Sequence, residues 1–134
     1  MQGSPRKAQA TFPAEPAAAG RAREFLQRTL AEAGVGESSR FEALLVTSEL
    51  VANAVTHGSR PGDEVSVDVS LDGPLLRIAV SDAAHGRSRP TALTPDDDRP
   101  AGRGLAVVDW FGKWSERIVE GRREVRAELT LPRS

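Results

Sequence analysis

The sequence predicts an α+β two-layer sandwich in which helices cover one face of a sheet built mainly from antiparallel hairpins. Three observations carry this expectation. Two runs with helical apolar spacing come first, two strand pairs joined at turn residues follow, and the strands alternate so regularly that one sheet face is left polar.

The chain has 134 residues and a net charge of −1, enough length for one domain with a core of its own. Near-neutral charge speaks against bulk electrostatic binding to nucleic acid or an anionic membrane. Without cysteine there are no disulfides and no thiolate metal sites, and two histidines, His57 and His85, are too few for a zinc cage. No signal peptide or membrane-length apolar run is visible, so the expected compartment is the cytoplasm.

Residues 1–7 read as a disordered arm, rich in Gly, Ser and Pro positions without apolar periodicity. Ala8 to Phe12 alternates as a short edge strand, and Pro13 and Pro16 bracket a turn. From Ala17 to Ala33 the spacing Ala22, Phe25, Leu26, Thr29, Leu30, Ala33 predicts an amphipathic helix ended by Gly34 and Gly36. A second helix follows at once. Ser39 with Glu42 reads as its capping box, Gly58 as its stop, and Phe41, Leu44, Leu45, Ser48, Ala52 and Val55 as its core-facing arc.

Beside that arc Glu49, Asn53 and His57 form a polar stripe, each four residues apart. Such a stripe is ordinarily a solvated helix face. Here no Lys or Arg joins it in an arginine-rich chain, and an acid one turn from a neutral oxygen donor also suits a proton acceptor beside a bound Mg²⁺. Both readings stand at this point.

Beyond Gly58 the period becomes two. Val65, Val67 and Val69 alternate with Ser66, Asp68 and Ser70, Asp72-Gly73 supplies a hairpin turn, and Leu76, Ile78 and Val80 alternate with Arg77, Ala79 and Ser81. Asp82 to Arg103 is irregular, with Pro90, Pro95, Pro100 and the run Asp96-Asp97-Asp98, and its place between a strand and a helix suggests a lid. Gly102-Arg103-Gly104-Leu105 opens a short helix with bare first-turn amides. That suits a phosphate, although glycine there also serves packing. Trp114 to Val119 and Glu124 to Leu131 form a second hairpin around Gly121. Arg122, Arg123 and Arg126 lie among acids and read as a solvated surface rather than a nucleic-acid face.

This order of elements resembles the ATP-binding domain of the GHKL superfamily over roughly Phe12 to Leu131. Within it, the chain is most similar to the single-domain anti-sigma-factor serine/threonine kinases. The resemblance implies a Bergerat-type ATP-binding fold with a mixed, mainly antiparallel sheet, a histidine-kinase-like domain over 8–132, and an ATP lid over 83–101. It implies ATP and Mg²⁺ as cofactors. Glu49 matches the general base that accepts a serine proton, Asn53 the Mg²⁺ ligand, and Asp82 the acid on the adenine amino group. Gly86 matches the second glycine of the adenine motif, and Gly102, Gly104 and Leu105 the phosphate motif. His57 and Arg103 lie beside these positions, within reach of phosphate.

The implied partners are a sigma factor, which the protein sequesters, and an anti-anti-sigma antagonist, which it phosphorylates on serine. Neither nucleic acid nor membrane is implied as a direct partner, and a homodimer is. Two positions depart from the family pattern: Ala84 replaces the first glycine of the adenine motif, and Gly121 is followed by Arg122, Arg123 and Glu124 instead of threonine. These departures define the alternative, a catalytically silent partner-binding module with weak or no nucleotide binding. A sensor-kinase fragment is disfavoured because no histidine precedes Glu37.

Overall fold

The computed structural model describes residues 6–83 and 113–131. Within them the elements run β1 (Arg6–Pro13), α1 (Ala18–Glu32), α2 (Glu37–Gly58), β2 (Glu64–Asp72), β3 (Leu75–Asp82), β4 (Lys113–Val119) and β5 (Arg122–Thr130). The strands form one sheet in the order β1-β2-β3-β5-β4, and every described pairing is antiparallel. Both helices supply side chains to a single core with the inward sheet residues, giving the two-layer α+β sandwich expected. The edge strand expected at Ala8 to Phe12 is present and runs from Arg6 to Pro13, so Arg6 and Lys7, expected in the disordered arm over 1–7, are paired with Leu71 and Ser70 of β2 instead.

Turn chemistry sets the register of β4 on β5. Glu120 and Gly121 both have positive φ, 52° and 80°, so the β4–β5 connection is a two-residue turn with the twist that a tight hairpin needs. Glycine takes that conformation without strain, whereas Glu120 does so against its Cβ. The turn brings Ile118 opposite Arg123 and Glu116 opposite Val125.

Helix α1 ends as the glycines suggest. The Val35 amide donates to the Leu30 carbonyl at 3.0 Å and the Gly34 amide to the Ala31 carbonyl at 3.0 Å, with Gly34 at φ 84°. This closure satisfies two of the carbonyls a helix end leaves open and turns the chain back so that α2 can lie beside α1. Ala18, Ala22, Leu26 and Leu30, four residues apart, form the buried stripe of α1. At one side of it Phe25 meets Phe12 of β1 edge-on, ring centres 6.4 Å apart.

Helix α2 departs from expectation at its start and in its facing. It begins at Glu37 after Gly36, which is extended at φ −66° and ψ 158°, and no side chain caps it. Ser39 is therefore a buried first-turn residue and not the N-cap. The guanidinium of Arg40 instead reaches back to the Val35 carbonyl at 2.7 Å. The buried residues are Ser39, Ala43, Val46, Thr47, Leu50, Val51, Asn53, Ala54 and Gly58, while Phe41 is 65% exposed and Ala52 is exposed. Leu44, Leu45, Ser48 and Val55 are only half-buried. The core face is thus opposite the arc centred on Phe41. Apolar residues lie nearly all round this helix, so periodicity alone does not decide its facing. The buried side carries Val46, Leu50 and Val51 together with the small residues Ala43, Ala54 and Gly58, the last of which meets the Asp82 carboxylate.

The uncovered sheet face carries the polar half of the strand alternation. Arg77 pairs with Glu128 at 2.9 Å and Arg117 with Glu124 at 2.8 Å, both exposed contacts of small energetic weight. Burial, followed by the repulsion of Glu124, pushes the Asp68 carboxyl above the usual aspartate range. Among the described residues no helix is long and apolar enough to cross a membrane.

The facing of α2 is directly testable by denaturant titration. Leu50→Ala, at a position 1% exposed, is expected to cost about 2–5 kcal/mol. Phe41→Ser is expected to stay within about 0.5 kcal/mol of the parent protein. A larger loss from Phe41→Ser than from Leu50→Ala would place the core on the other face.

Candidate functional site

The site begins where two apolar stripes end in charge. On β3 the buried residues Leu76, Ile78 and Val80 are followed, at the same parity, by Asp82, 1% exposed. On β5, Leu129, Ala127 and Val125 run back to Arg123, 0% exposed. The register sets Asp82 directly opposite Arg123. The Arg123 Nε–H donates to Asp82 Oδ2 at 2.9 Å, and Nη2 lies 2.7 Å from the same oxygen. Two nitrogens converge on one oxygen, and only the Nε–H is in line with it, so the Nη2 contact is one of charge rather than a second hydrogen bond. Nη1 lies 3.9 Å from Oε2 of Glu116, whose side chain is 4% exposed. One guanidinium therefore stands between two carboxylates out of water, an arrangement costly to bury and costlier to break.

The end of α2 presses on this pair. Gly58 is buried, and a Cβ built there would fall on the Asp82 carboxylate. Its glycine is thus required by space. The chain does not turn left-handed there: Ser59 caps the helix in an extended conformation, its hydroxyl donating to the Ala54 carbonyl at 3.0 Å. Gly58 ends the helix as expected, and it does so as the contact point between helix and carboxylate.

Five residues back, about 7.5 Å along the helix axis, stands Asn53. It is 7% exposed, and neither Oδ1 nor Nδ2 has a hydrogen-bond partner. A buried carboxamide with both ends unsatisfied costs about 1–3 kcal/mol and is rare in folded proteins. A hard carbonyl oxygen held in this way fits a ligand to Mg²⁺. Glu49, one turn earlier, and His57, one turn later, are both half-buried. The stripe drifts about 40° around the helix at each step of four residues, which carries it from the flank of α2 toward the buried face. A wholly solvated face does not describe it.

Of the residues singled out in the sequence, Glu49, Asn53, His57 and Asp82 are described, and Asp82 lies under the end of the helix that carries the other three. Gly86, Gly102, Arg103, Gly104 and Leu105 lie outside the described residues, as does all of the 83–101 segment beyond Ala83. Among the described residues no group of three or more His, Asp or Glu could hold a metal by itself. Arg123 is the correction: read from sequence as part of a solvated cluster, it is wholly buried and paired. The signal was available, since Arg123 shares strand parity with Val125, Ala127 and Leu129. Arg122, on the other face, instead reaches the Glu64 and Ser81 carbonyls at 3.3 Å each.

The model of the histidine kinase-like ATPase domain matches residues 12–112, three quarters of the chain, and the chain belongs to that family. That assignment makes it an ATP-binding domain by family. Among solved structures it is similar to the RsbU and RsbW domains of Rv1364c from Mycobacterium tuberculosis, with a TM-score of 0.68 and 25% identity over 96% of this chain. It spans 33% of that longer chain. No curated protein matches.

Two substitutions test the packing of the site, both read as unfolding free energies in denaturant. Asp82→Asn leaves the buried Arg123 guanidinium without its nearest counter-charge and is expected to cost about 3–5 kcal/mol. Gly58→Ala drives a methyl group into the Asp82 carboxylate and is expected to cost about 1–3 kcal/mol. Wild-type stability in Asp82→Asn would show that Arg123 does not depend on this counter-charge, and wild-type stability in Gly58→Ala that the helix end and the carboxylate are not in contact.

Proposed function

We propose that this chain is an ATP- and Mg²⁺-dependent serine/threonine kinase of the anti-sigma-factor type, which phosphorylates a serine of an anti-anti-sigma antagonist and sequesters a sigma factor. The observation that carries the reading is Asn53: a buried carboxamide with no partner, one turn from a carboxylate and on the same helix that rests on Asp82. The family assignment supports ATP, and the similarity to a structure that contains an RsbW domain supports the anti-sigma type.

In this reading each residue does one thing. Asp82 accepts a hydrogen bond from the adenine amino group, with Gly86 beside the base. Asn53 Oδ1 is the protein ligand of Mg²⁺, which when bound neutralises charge on the ATP phosphates. Gly102, Arg103, Gly104 and Leu105 meet the phosphates through bare amides and one cation, and His57 faces the same groups. Glu49 accepts the proton of the serine hydroxyl as its oxygen bonds to the γ-phosphorus and the bond to ADP breaks. Phosphoryl transfer asks for positioning and charge neutralisation more than covalent chemistry, so a small domain suffices.

Sequestration and phosphorylation then form a partner switch, in which added negative charge on the antagonist changes which protein the domain holds. A homodimer and a cytoplasmic setting belong to the same proposal. One observation favours the alternative, a silent binding module: Asp82 Oδ2 is already held by Arg123.

The test is transfer of labelled γ-phosphate from Mg-ATP to a panel of purified anti-anti-sigma proteins from the same genome. Phosphoserine on one of them, lost in Glu49→Ala and in Asn53→Ala, is the expected result. No transfer to any of them would leave the silent partner-binding module, with weak or no nucleotide binding, as the correct reading.

A further inference from the structure

We infer that Arg123 is a base-reading residue, one that donates a hydrogen bond to a ring nitrogen of the purine beside the amino group taken by Asp82. The inference rests on the nucleotide reading above and assigns a role to a residue which that reading leaves out.

A guanidinium has five N–H donors. In Arg123 the Nε–H is used on Asp82 Oδ2, while neither Nη1 nor Nη2 has an acceptor in hydrogen-bonding geometry, and the whole side chain is 0% exposed. Glu116 compensates charge at 3.9 Å from Nη1, too far for a hydrogen bond. Buried orphan donors are uncommon, and a guanidinium cannot shed the cost by losing its proton. What lowers the cost is an acceptor brought by a ligand.

The chemistry of that ligand follows from the neighbours. Asp82 offers an acceptor and Arg123 offers donors, side by side at the ends of adjacent strands. A complementary edge needs a donor next to an acceptor. Adenine has this on its Watson–Crick edge, with the N6 amino group beside N1. Turned into the same pose, guanine would set its O6 against the carboxylate and its N1–H against the guanidinium, two like-to-like contacts. Arg123 thereby adds discrimination against guanine to what Asp82 supplies, and its fixed ion pair with Asp82 holds the guanidinium plane for the contact.

Calorimetry with Mg-ATP and Mg-1-deaza-ATP, which keeps the amino group and replaces N1 by C–H, isolates the contact. The wild-type protein is expected to bind ATP at least on the order of tenfold more tightly than the deaza analogue, since hydrogen bonds from charged donors are stronger than neutral ones. Arg123→Met is expected to bind the two alike. If that variant does not fold, Arg123→Lys, which keeps the charge opposite Asp82 but shortens the reach, is expected to lose most of the preference, and the wild-type comparison stands alone in any case. Equal wild-type affinity for both nucleotides, or an undiminished preference in a folded variant, would overturn the role of Arg123 while leaving ATP binding intact. No binding of either nucleotide by the wild-type protein would overturn the nucleotide reading together with it.

Discussion

The ion pair between Asp82 and Arg123 is the constraint around which the structure is arranged. Two strands whose inward faces are otherwise apolar each finish in a buried charge, and such charges are tolerable only together. The pairing fixes which residue of β5 lies opposite which residue of β3, because a slip by one position would send one charge to the other face of the sheet. Register, burial and electrostatics are thus set by the same contact.

Helix α2 is shaped by what it must cover. To bring its last residue down on the Asp82 carboxylate it needs glycine at 58, and its buried side joins Val46, Leu50 and Val51 to Ala43 and Ala54. The same close approach takes Asn53 out of water without giving it a partner. Stability is given up at Asn53 on α2 and at the Arg123 nitrogens on β5. Buried polar groups left unsatisfied are the mark of places built for something other than folding.

Much of the fold was legible in the sequence, because strand alternation and turn residues report local physics. The two hairpins, the edge strand, and the stripe Ala22, Leu26, Leu30 of α1 follow from periods of two and 3.6 alone. The facing of α2 was not legible by the same rule. Its arc from Phe41 to Val55 looked like a core face, yet the opposite side, with Val46, Leu50 and Val51, is the one buried, because apolar residues lie on both sides and periodicity alone does not choose between them. At the site, Glu49, Asn53 and Asp82 stood out by residue type and spacing, whereas Arg123 was hidden by Arg122 and Arg126, chemically alike but on the opposite face. Charge clusters in strands have to be split by parity before they are read as surface.

The measurement that bears most directly on this account is a titration of isotope-labelled protein with Mg-ATP, followed by NMR at the Asn53 side-chain amide and the Arg123 Nε–H. Both signals come from buried groups next to the proposed ligand, one lacking any hydrogen bond and one engaged with Asp82. Saturable shifts of both at one common affinity, with the amide of exposed Phe41 unmoved, are the expected result. Shifts confined to other parts of the chain, or none at millimolar ATP, would contradict a nucleotide site at the junction of α2, β3 and β5.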